Sequence, residues 1–278
     1  PCFSLYATIC GSYGIEVRHY PCSSENNWEC DLDALTVQCD QKTKAILINN
    51  PSNPCGSNFS RAHVTQILQT AEKLRLPVIA DEIYAGMVFG SETFTSVSNV
   101  ETPVPRFIVG GIAKNYMVPG WRLGWVLVMD SLGIASKVLD GIVQLSTLIV
   151  GPNSLIQAAL PVMLEGVDEA YRRKVNKDLE ANATAAFNIF SRCKGLRPTI
   201  PQGAMYLMVQ IDIARFGEEI QSGVDFAKLL LTEENVQVLP GEIFQMPNFF
   251  RVVYTKPIYL VEEAAARVED FCRRHELS

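Results

Sequence analysis

The stretch that decides the fold is KAILINNPSNPCG, residues 44–56. Its first six residues, Lys44 to Asn49, form an apolar run bounded by turn residues, which is typical of a buried β-strand. Two prolines and a glycine then force a loop. Ser60 follows as the predicted N-cap of a helix that runs to about Leu74. The stretch therefore predicts a strand, a loop and a helix in succession, which is one β-α unit of an α/β fold.

Short apolar strands recur on both sides of this stretch. Further strands are predicted at Ile15–Val17, Pro77–Ala80, Arg106–Val109 and Leu123–Val128. Helical segments alternate with them, and a helix is expected to end near Gly14. This alternation predicts an α/β fold with a mostly parallel sheet.

After about Leu164 the pattern changes to a long charged helix and then a mixture of short strands and helices. The helices are predicted at Val167–Cys193, Val224–Leu231 and Leu260–His275, and the strands at Met205–Ile211, Val236–Leu239 and Phe250–Tyr254. We therefore predict a large domain over residues 1–166 and a smaller α+β C-terminal domain over residues 167–278, which includes the long interdomain helix.

Composition excludes several classes of protein. The chain has 278 residues, of which 48% are hydrophobic and 19% charged, so it can bury a core and disorder is not expected. Its net charge of −6 argues against a nucleic-acid partner, which usually requires a basic face. The longest uncharged stretch, residues 141–164, is interrupted by Gly151, Pro152 and Pro161. It is predicted to form two buried helices, and no membrane partner is expected.

The cysteines and histidines point to a reducing compartment. The chain has eight cysteines, none of them in a CxxC pair, and three histidines without metal-ligand spacing. Scattered cysteines of this kind are typical of reduced thiols, so we expect a cytoplasmic protein without a metal site; a mitochondrial location stays open. Cys55 and the three histidines, His19, His63 and His275, are interpreted as structural or surface residues.

Chemically active side chains follow the predicted strands. Asn53 lies in the loop after the first strand of the decisive stretch, Asp81 and Tyr84 follow the next strand, and Lys114 and Arg122 follow the third. Because ligands bind beyond the carboxyl ends of parallel strands, we expect these groups to converge on one edge of the sheet.

This set of groups suits pyridoxal phosphate. A lysine amine can form a Schiff base with an aldehyde, and a carboxylate can keep the pyridinium nitrogen protonated. An amide and a phenol can donate to the ring oxygen, and a guanidinium offers a fork of donors to the phosphate.

The motifs NNPSNPCG, ADEIY and GGIAK-x7-R resemble those of the fold-type I aminotransferases, and VPGWRLGW and QGAMYLM are most similar to the tyrosine-type members. The resemblance covers essentially the whole chain. It implies the pyridoxal-phosphate transferase type I fold, as an incomplete large domain with a smaller C-terminal domain. It also implies transfer of the amino group of an aromatic L-amino acid, tyrosine first, to a 2-oxo acid such as 2-oxoglutarate, in a homodimer.

The resemblance also implies the role of each site residue. Lys114 corresponds to the Schiff-base lysine that moves the proton, and Asp81 to the partner of the pyridinium nitrogen. The remaining roles are carried by Asn53 and Tyr84 at the ring oxygen, Arg122 at the phosphate, Phe3 stacked on the cofactor and Arg251 at the substrate carboxylate. Trp121 and Trp125 are expected in the core.

Two departures from the family pattern leave alternatives open. The family often has a serine phosphate ligand where this chain has Gly111, whose backbone N–H could replace it. The chain begins at Pro1, without Met, and the family's N-terminal segment is not represented, so a processed product or an inactive fragment is one alternative. The others are a broad-specificity aminotransferase and a carbon–sulfur lyase on the same scaffold.

Overall fold

The computed structural model describes residues 1–277, which form two compact units. The parallel-sheet unit comprises residues 29–51 and 58–175. The antiparallel-sheet unit comprises residues 1–28, residues 52–57 and the described chain from residue 176 onward. The division of the chain into domains at residue 166 stays a prediction.

A four-stranded sheet forms the centre of the parallel-sheet unit. Its strands are β1 (Ile46–Asn49), β2 (Val78–Asp81), β3 (Arg106–Gly111) and β4 (Gly124–Met129), in that order. The first three strands are parallel, and β4 pairs antiparallel with β3. The predicted α/β class with a mostly parallel sheet is therefore confirmed, with one antiparallel strand beside β3.

The helix predicted after Ser60 is present with its predicted bounds. Helix α3 spans Arg61–Leu74, and the Ser60 hydroxyl accepts a hydrogen bond from the His63 N–H at 3.1 Å. The face that this helix buries carries Val64, Ile67, Leu68 and Ala71. Their spacing of three and four residues places them on one stripe. The other helices assigned wholly to this unit are α2 (Leu32–Gln38), α4 (Ser136–Ser146) and α5 (Ser154–Gly166).

The antiparallel-sheet unit contains the second sheet. Its strands are β5 (Leu196–Pro198), β6 (Tyr206–Ile211), β7 (Leu239–Pro240) and β8 (Phe249–Val253), in the order β5-β6-β8-β7 with every neighbouring pair antiparallel. Helices α1 (Ser4–Ser12), α7 (Gly223–Glu234) and α8 (Ile258–His275) belong to this unit, and α6 (Glu169–Phe190) leads into it. The rings of Phe226 and Phe250 stack in its core with centroids 5.0 Å apart.

Four local predictions were wrong. Residues 15–17 form no strand, and Ile15 is 56% exposed, because three residues beside Gly14 find no strand to pair with in the described chain. The strand predicted at Val236–Leu239 begins only at Leu239.

The other two errors concern burial. Helices α4 and α5 form as predicted, yet neither has a buried residue. Trp121 and Trp125 are also exposed, at 38% and 40%. Burial depends on what packs against a side chain, and apolar character alone does not supply that neighbour. No helix within residues 1–277 is long and apolar enough to cross a bilayer.

Candidate active site

The parallel strands bring several of the predicted site residues to one edge of the sheet. In the ladder, Asp81 is the last residue of β2 and pairs with Asn49 of β1 and Val109 of β3. Lys114 is the third residue after the end of β3. Because the strands run in the same direction, their carboxyl ends share this edge, as the sequence predicts.

Asp81 is held by backbone contacts on both sides. Its carbonyl oxygen accepts hydrogen bonds from the Asn50 N–H and the Asn49 side-chain amide, both at 3.1 Å. Its carboxylate Oδ1 accepts from the Ile83 N–H at 3.1 Å. The turn after β2 therefore sets the direction of the carboxylate.

Tyr84 and Lys114 lie next to each other. The Lys114 Nζ is 5.7 Å from the centroid of the Tyr84 ring, within the range of a cation–π interaction. Tyr84 is buried at 3% exposure, and Lys114 is half-buried. The structure thus brings the predicted Schiff-base amine and the predicted phenol donor together.

Glycines let β4 approach β3 closely beside this edge. A Cβ at Gly111 would lie 3.0 Å from the Leu123 carbonyl oxygen and 3.1 Å from the Gly124 Cα. A Cβ at Gly110 would lie 2.7 Å from the Trp125 Nε1. The position where the family often has serine therefore has little room for any side chain in this chain.

Arg122 lies two residues before β4 begins. It ends a 3-10 helix (Pro119–Trp121) in a left-handed conformation, with φ +54°. Its Nη1 donates to the Pro119 carbonyl at 3.0 Å, and the next residue, Leu123, accepts from the Ile112 N–H at 3.3 Å. The guanidinium is exposed.

The antiparallel-sheet unit brings together two more predicted site residues. The Arg251 Nη1 donates a hydrogen bond to the Asn53 Oδ1 at 2.6 Å. Arg251 lies in β8, and both residues are buried, at 9% and 7% exposure. Asn53 follows β1 in sequence, but its segment, residues 52–57, belongs to this unit.

Two aromatic rings flank Arg251, and sequence reasoning did not identify either as a site residue. The guanidinium carbon lies 4.3 Å from the Tyr206 ring centroid and 4.6 Å from the Phe244 ring centroid. Stacking of this kind orients a guanidinium plane. A signal existed for Tyr206, which stands within the motif QGAMYLM, whereas nothing local marked Phe244.

Phe3 lies in the antiparallel-sheet unit at the start of α1. Its ring is half-buried and packs edge-on against Tyr6, with centroids 5.6 Å apart. The preceding residue, Cys2, donates its N–H to the Phe244 carbonyl at 2.9 Å. Phe3 is thus tied to the segment that flanks Arg251, while its stacking on a cofactor stays a prediction.

Two neighbours of the site residues have structural contacts. Burial raises the pKa of Cys55 to about 12, so this thiol stays protonated. Burial also raises the pKa of Glu82, whose carboxylate accepts the Val97 N–H at 2.8 Å and thereby anchors the loop after β2. Across residues 1–277, no group of three or more histidine, cysteine or acidic side chains could hold a metal ion.

Comparisons with known proteins place these residues in context. The family model "Aminotransferase class I and II" matches residues 1–268. Tyrosine aminotransferase of Mus musculus is 42% identical over 276 residues, which is 99% of this chain and 61% of the relative. The chain therefore spans about three fifths of the length of this curated relative.

A solved structure and a second curated relative complete the comparison. The crystal structure of tyrosine aminotransferase from Leishmania infantum superposes with a TM-score of 0.97 at 42% identity, covering 100% of this chain and 68% of that one. S-alkyl-thiohydroximate lyase of Arabidopsis thaliana is 34% identical over 99% of this chain and 60% of its own length.

Proposed function

We propose an activity from one premise: the chain belongs to the class I and II aminotransferases. Members of this family depend on pyridoxal phosphate. Because the chain spans 61% of the mouse relative, the activity is proposed for the whole protein. It is the transfer of the amino group of an aromatic L-amino acid, tyrosine first, to a 2-oxo acid such as 2-oxoglutarate.

The groups at the sheet edge fit pyridoxal phosphate. When bound, the cofactor supplies an aldehyde that condenses with amines and a pyridinium ring that withdraws electrons. An amine for the aldehyde, a carboxylate for the ring nitrogen and a guanidinium for the phosphate are carried by Lys114, Asp81 and Arg122. The 5.7 Å between the Lys114 Nζ and the Tyr84 ring is the observation that carries this proposal.

Lys114 moves the proton in the proposed reaction. Its Nζ would take the proton from the substrate Cα. A half-buried position beside the Tyr84 ring limits the conformations open to the amine.

The remaining predicted cofactor ligands, which come from both units, are proposed to orient and retain the cofactor. The Asp81 carboxylate, directed by the Ile83 N–H, keeps the pyridinium nitrogen protonated. Tyr84 and Asn53 donate to the ring oxygen, Arg122 binds the phosphate, and Phe3 stacks on the ring. The Arg122 guanidinium is exposed and makes its hydrogen bond to the Pro119 carbonyl.

Arg251 binds the substrate α-carboxylate. A planar guanidinium offers two parallel N–H donors to a carboxylate. The Tyr206 and Phe244 rings and the Asn53 amide hold this plane before substrate arrives. Such preorganisation reduces the entropy lost on binding.

The visible spectrum of the purified protein with pyridoxal phosphate tests the proposal. An absorbance band that Lys114→Ala abolishes, and that bleaches when tyrosine is added, would support the cofactor, the lysine and a half-reaction together. A band that survives Lys114→Ala would contradict the role of Lys114. The measurement is made on the full coding sequence and on this chain in parallel.

A carbon–sulfur lyase is the second candidate, and the 34% identity to the Arabidopsis lyase is the observation that favours it. The cofactor-holding residues suit both reactions. Product analysis separates them, since a lyase acting on a cystathionine-type substrate releases ammonia and pyruvate, whereas an aminotransferase yields the 2-oxo acid of the substrate.

We further propose a cytoplasmic homodimer. All eight cysteines are thiols rather than disulfides, as in a reducing compartment. The segment from α4 to α5 exposes Leu148, Ile149 and Val150 at 77–89%, and an apolar patch of this kind marks an interaction surface. Light scattering that gives the mass of one chain would contradict the dimer.

A further inference from the structure

The turn of residues 112–117, here called the lysine turn, carries Lys114 and begins at a buried residue. Ile112 is 0% exposed, and its N–H donates a hydrogen bond to the Leu123 carbonyl at 3.3 Å. The Ile112 carbonyl accepts the Tyr116 N–H, also at 3.3 Å. The first half of the lysine turn is therefore fixed to the core of the parallel-sheet unit.

The second half of the lysine turn is less buried and has a disfavoured backbone conformation. Met117 is 36% exposed and has φ +56°, in the left-handed region that residues other than glycine rarely adopt. Its N–H donates to the Lys114 carbonyl at 3.1 Å. A residue keeps such a conformation when neighbouring contacts hold it there. The turn that carries the proposed base therefore depends on contacts at this end.

Arg172 supplies such a contact from another element of the same unit. Its Nη2 donates to the Tyr116 hydroxyl at 2.8 Å, and its guanidinium carbon lies 5.4 Å from the centroid of the same ring. Arg172 is in the first turn of α6, where the Asp168 carboxylate accepts the Tyr171 N–H at 2.8 Å and fixes the start of the helix. A guanidinium on a helix thus holds the aromatic residue that lies two positions beyond Lys114.

We propose that Arg172 is a positioning residue for Lys114 and that it acts through Tyr116. This inference rests on the proposed function, in which the Lys114 amine moves the substrate proton. By holding the Tyr116 ring, Arg172 restrains the exposed half of the lysine turn and, through it, the backbone from which the amine extends. Substitutions at exposed positions change global stability little, so the effect is expected on the turn and on the rate.

Hydrogen exchange of the full protein without cofactor tests the contact directly. Arg172→Met removes the donor and keeps much of the side chain's length, so the amides of the lysine turn should exchange at least about threefold faster. Arg172→Lys keeps a donor for the Tyr116 hydroxyl and should restore part of the protection. Arg173→Met is the matched control, because that neighbouring side chain pairs with Glu169 at 3.0 Å instead. Unchanged exchange in Arg172→Met would overturn the proposal.

Steady-state kinetics of the full protein with cofactor tests the positioning role. Arg172→Met should lower kcat about tenfold and change KM for tyrosine less than about twofold, because it displaces the base and leaves substrate binding intact. Tyr116→Phe keeps the ring and should lower kcat less. The double variant should be no slower than Arg172→Met alone, since both changes remove one contact. A lower urea midpoint with unchanged kcat would mean that the contact is purely structural and would overturn the proposal.

The two measurements separate failure of this inference from failure of the proposed function. If the unmodified full protein forms no 2-oxo acid from tyrosine, the proposed function is wrong, and the exchange measurement still decides whether Arg172 holds the lysine turn. If the protein transaminates and Arg172→Met keeps its kcat, the proposed function stands and the positioning role is overturned. Circular dichroism checks folding; if Arg172→Met does not fold, Tyr116→Phe serves in both measurements.

Discussion

The Arg251 guanidinium donates a hydrogen bond of 2.6 Å to the Asn53 amide oxygen, although 198 residues separate the two in sequence. The same guanidinium lies against the Tyr206 and Phe244 rings. One residue predicted to hold the cofactor therefore positions another predicted to hold the substrate. Both roles depend on the loop of residues 52–57, which belongs to the antiparallel-sheet unit.

Arg251→Lys should weaken binding of the amino acid. Lysine cannot offer a planar fork of donors, and it loses the stacking on Tyr206 and Phe244. KM for tyrosine should rise at least about tenfold, or about 1.4 kcal/mol, as measured by steady-state kinetics of the full protein. Arg197→Lys is the control, because that side chain is 73% exposed. A KM that stays within twofold would refute the carboxylate role.

Asn53→Ala tests the coupling between Asn53 and Arg251. If the amide acts on the substrate through Arg251, the effects of Asn53→Ala and Arg251→Lys on KM should be less than additive in a double-mutant cycle. Strictly additive effects would mean that Asn53 acts on the cofactor alone. Asn26→Ala, at an exposed position, is the control and should leave KM unchanged.

Lys114→Ala should abolish transamination. The proposed reaction has no other base at the substrate Cα, and general bases contribute about 10²–10⁴ in rate. Turnover is measured from the aromatic 2-oxo acid formed, with Lys137→Ala on the exposed surface of α4 as the control. Undiminished turnover in Lys114→Ala would contradict the proposed role of Lys114 as the base.

Gly111→Ala should destabilise the chain. The added Cβ would lie 3.0–3.1 Å from the backbone of Leu123 and Gly124, so β4 would have to shift. We expect a loss of about 1–3 kcal/mol in urea unfolding, the usual cost of overpacking. Gly141→Ala is the control: it meets nothing within 4 Å in α4 and should stabilise by up to about 1 kcal/mol. Equal effects at the two glycines would mean that the close approach of β4 is not rigid.

The ion cluster at the end of α8 should make stability depend on pH. The protonated His275 ring donates to two carboxylates, from Nδ1 to Glu219 at 2.8 Å and from Nε2 to Glu233 at 2.9 Å. Burial lowers its pKa, but the hydrogen bonds to Glu233 and Glu219 outweigh burial and raise the pKa above 6.5. A group whose pKa is raised in the folded state stabilises the fold fully at a pH below its pKa in the unfolded chain. This stabilisation is lost as the pH rises through its pKa in the folded chain.

His275→Gln should therefore lower the urea midpoint most near pH 6 and least near pH 9. Hydrogen bonds to His275 lower the pKa of both glutamates. The stability that these two carboxylates contribute is therefore lost in acid, as the pH falls below their ordinary pKa of 4.5. His19→Gln, at an exposed position, serves as the control. A deficit that grows towards pH 9 would contradict the sign of the shift.

The strand ends were predictable because their signals are local. An apolar run bounded by turn residues marks β1, and the polar residues that follow each strand reach the carboxyl edge of the sheet through parallel pairing alone. The motif containing Lys114 and Arg122 is equally local, as is the cap at Ser60. In contrast, residues 15–17 have strand-like composition but no partner strand in the described chain, and composition does not reveal that.

The sequence by itself determined the family, the α/β class and the candidate chemistry of Lys114 and Asp81, because each depends on residues close together along the chain. Only the tertiary structure decided that β4 runs antiparallel, that Tyr206 and Phe244 flank Arg251, and that Asn53 accepts a hydrogen bond from Arg251. These relationships depend on contacts between separate elements of the fold, and their geometry arises from packing that no local pattern encodes. For the same reason the apolar sequences of α4 and α5 predict burial, whereas neither helix has a buried residue in the described chain.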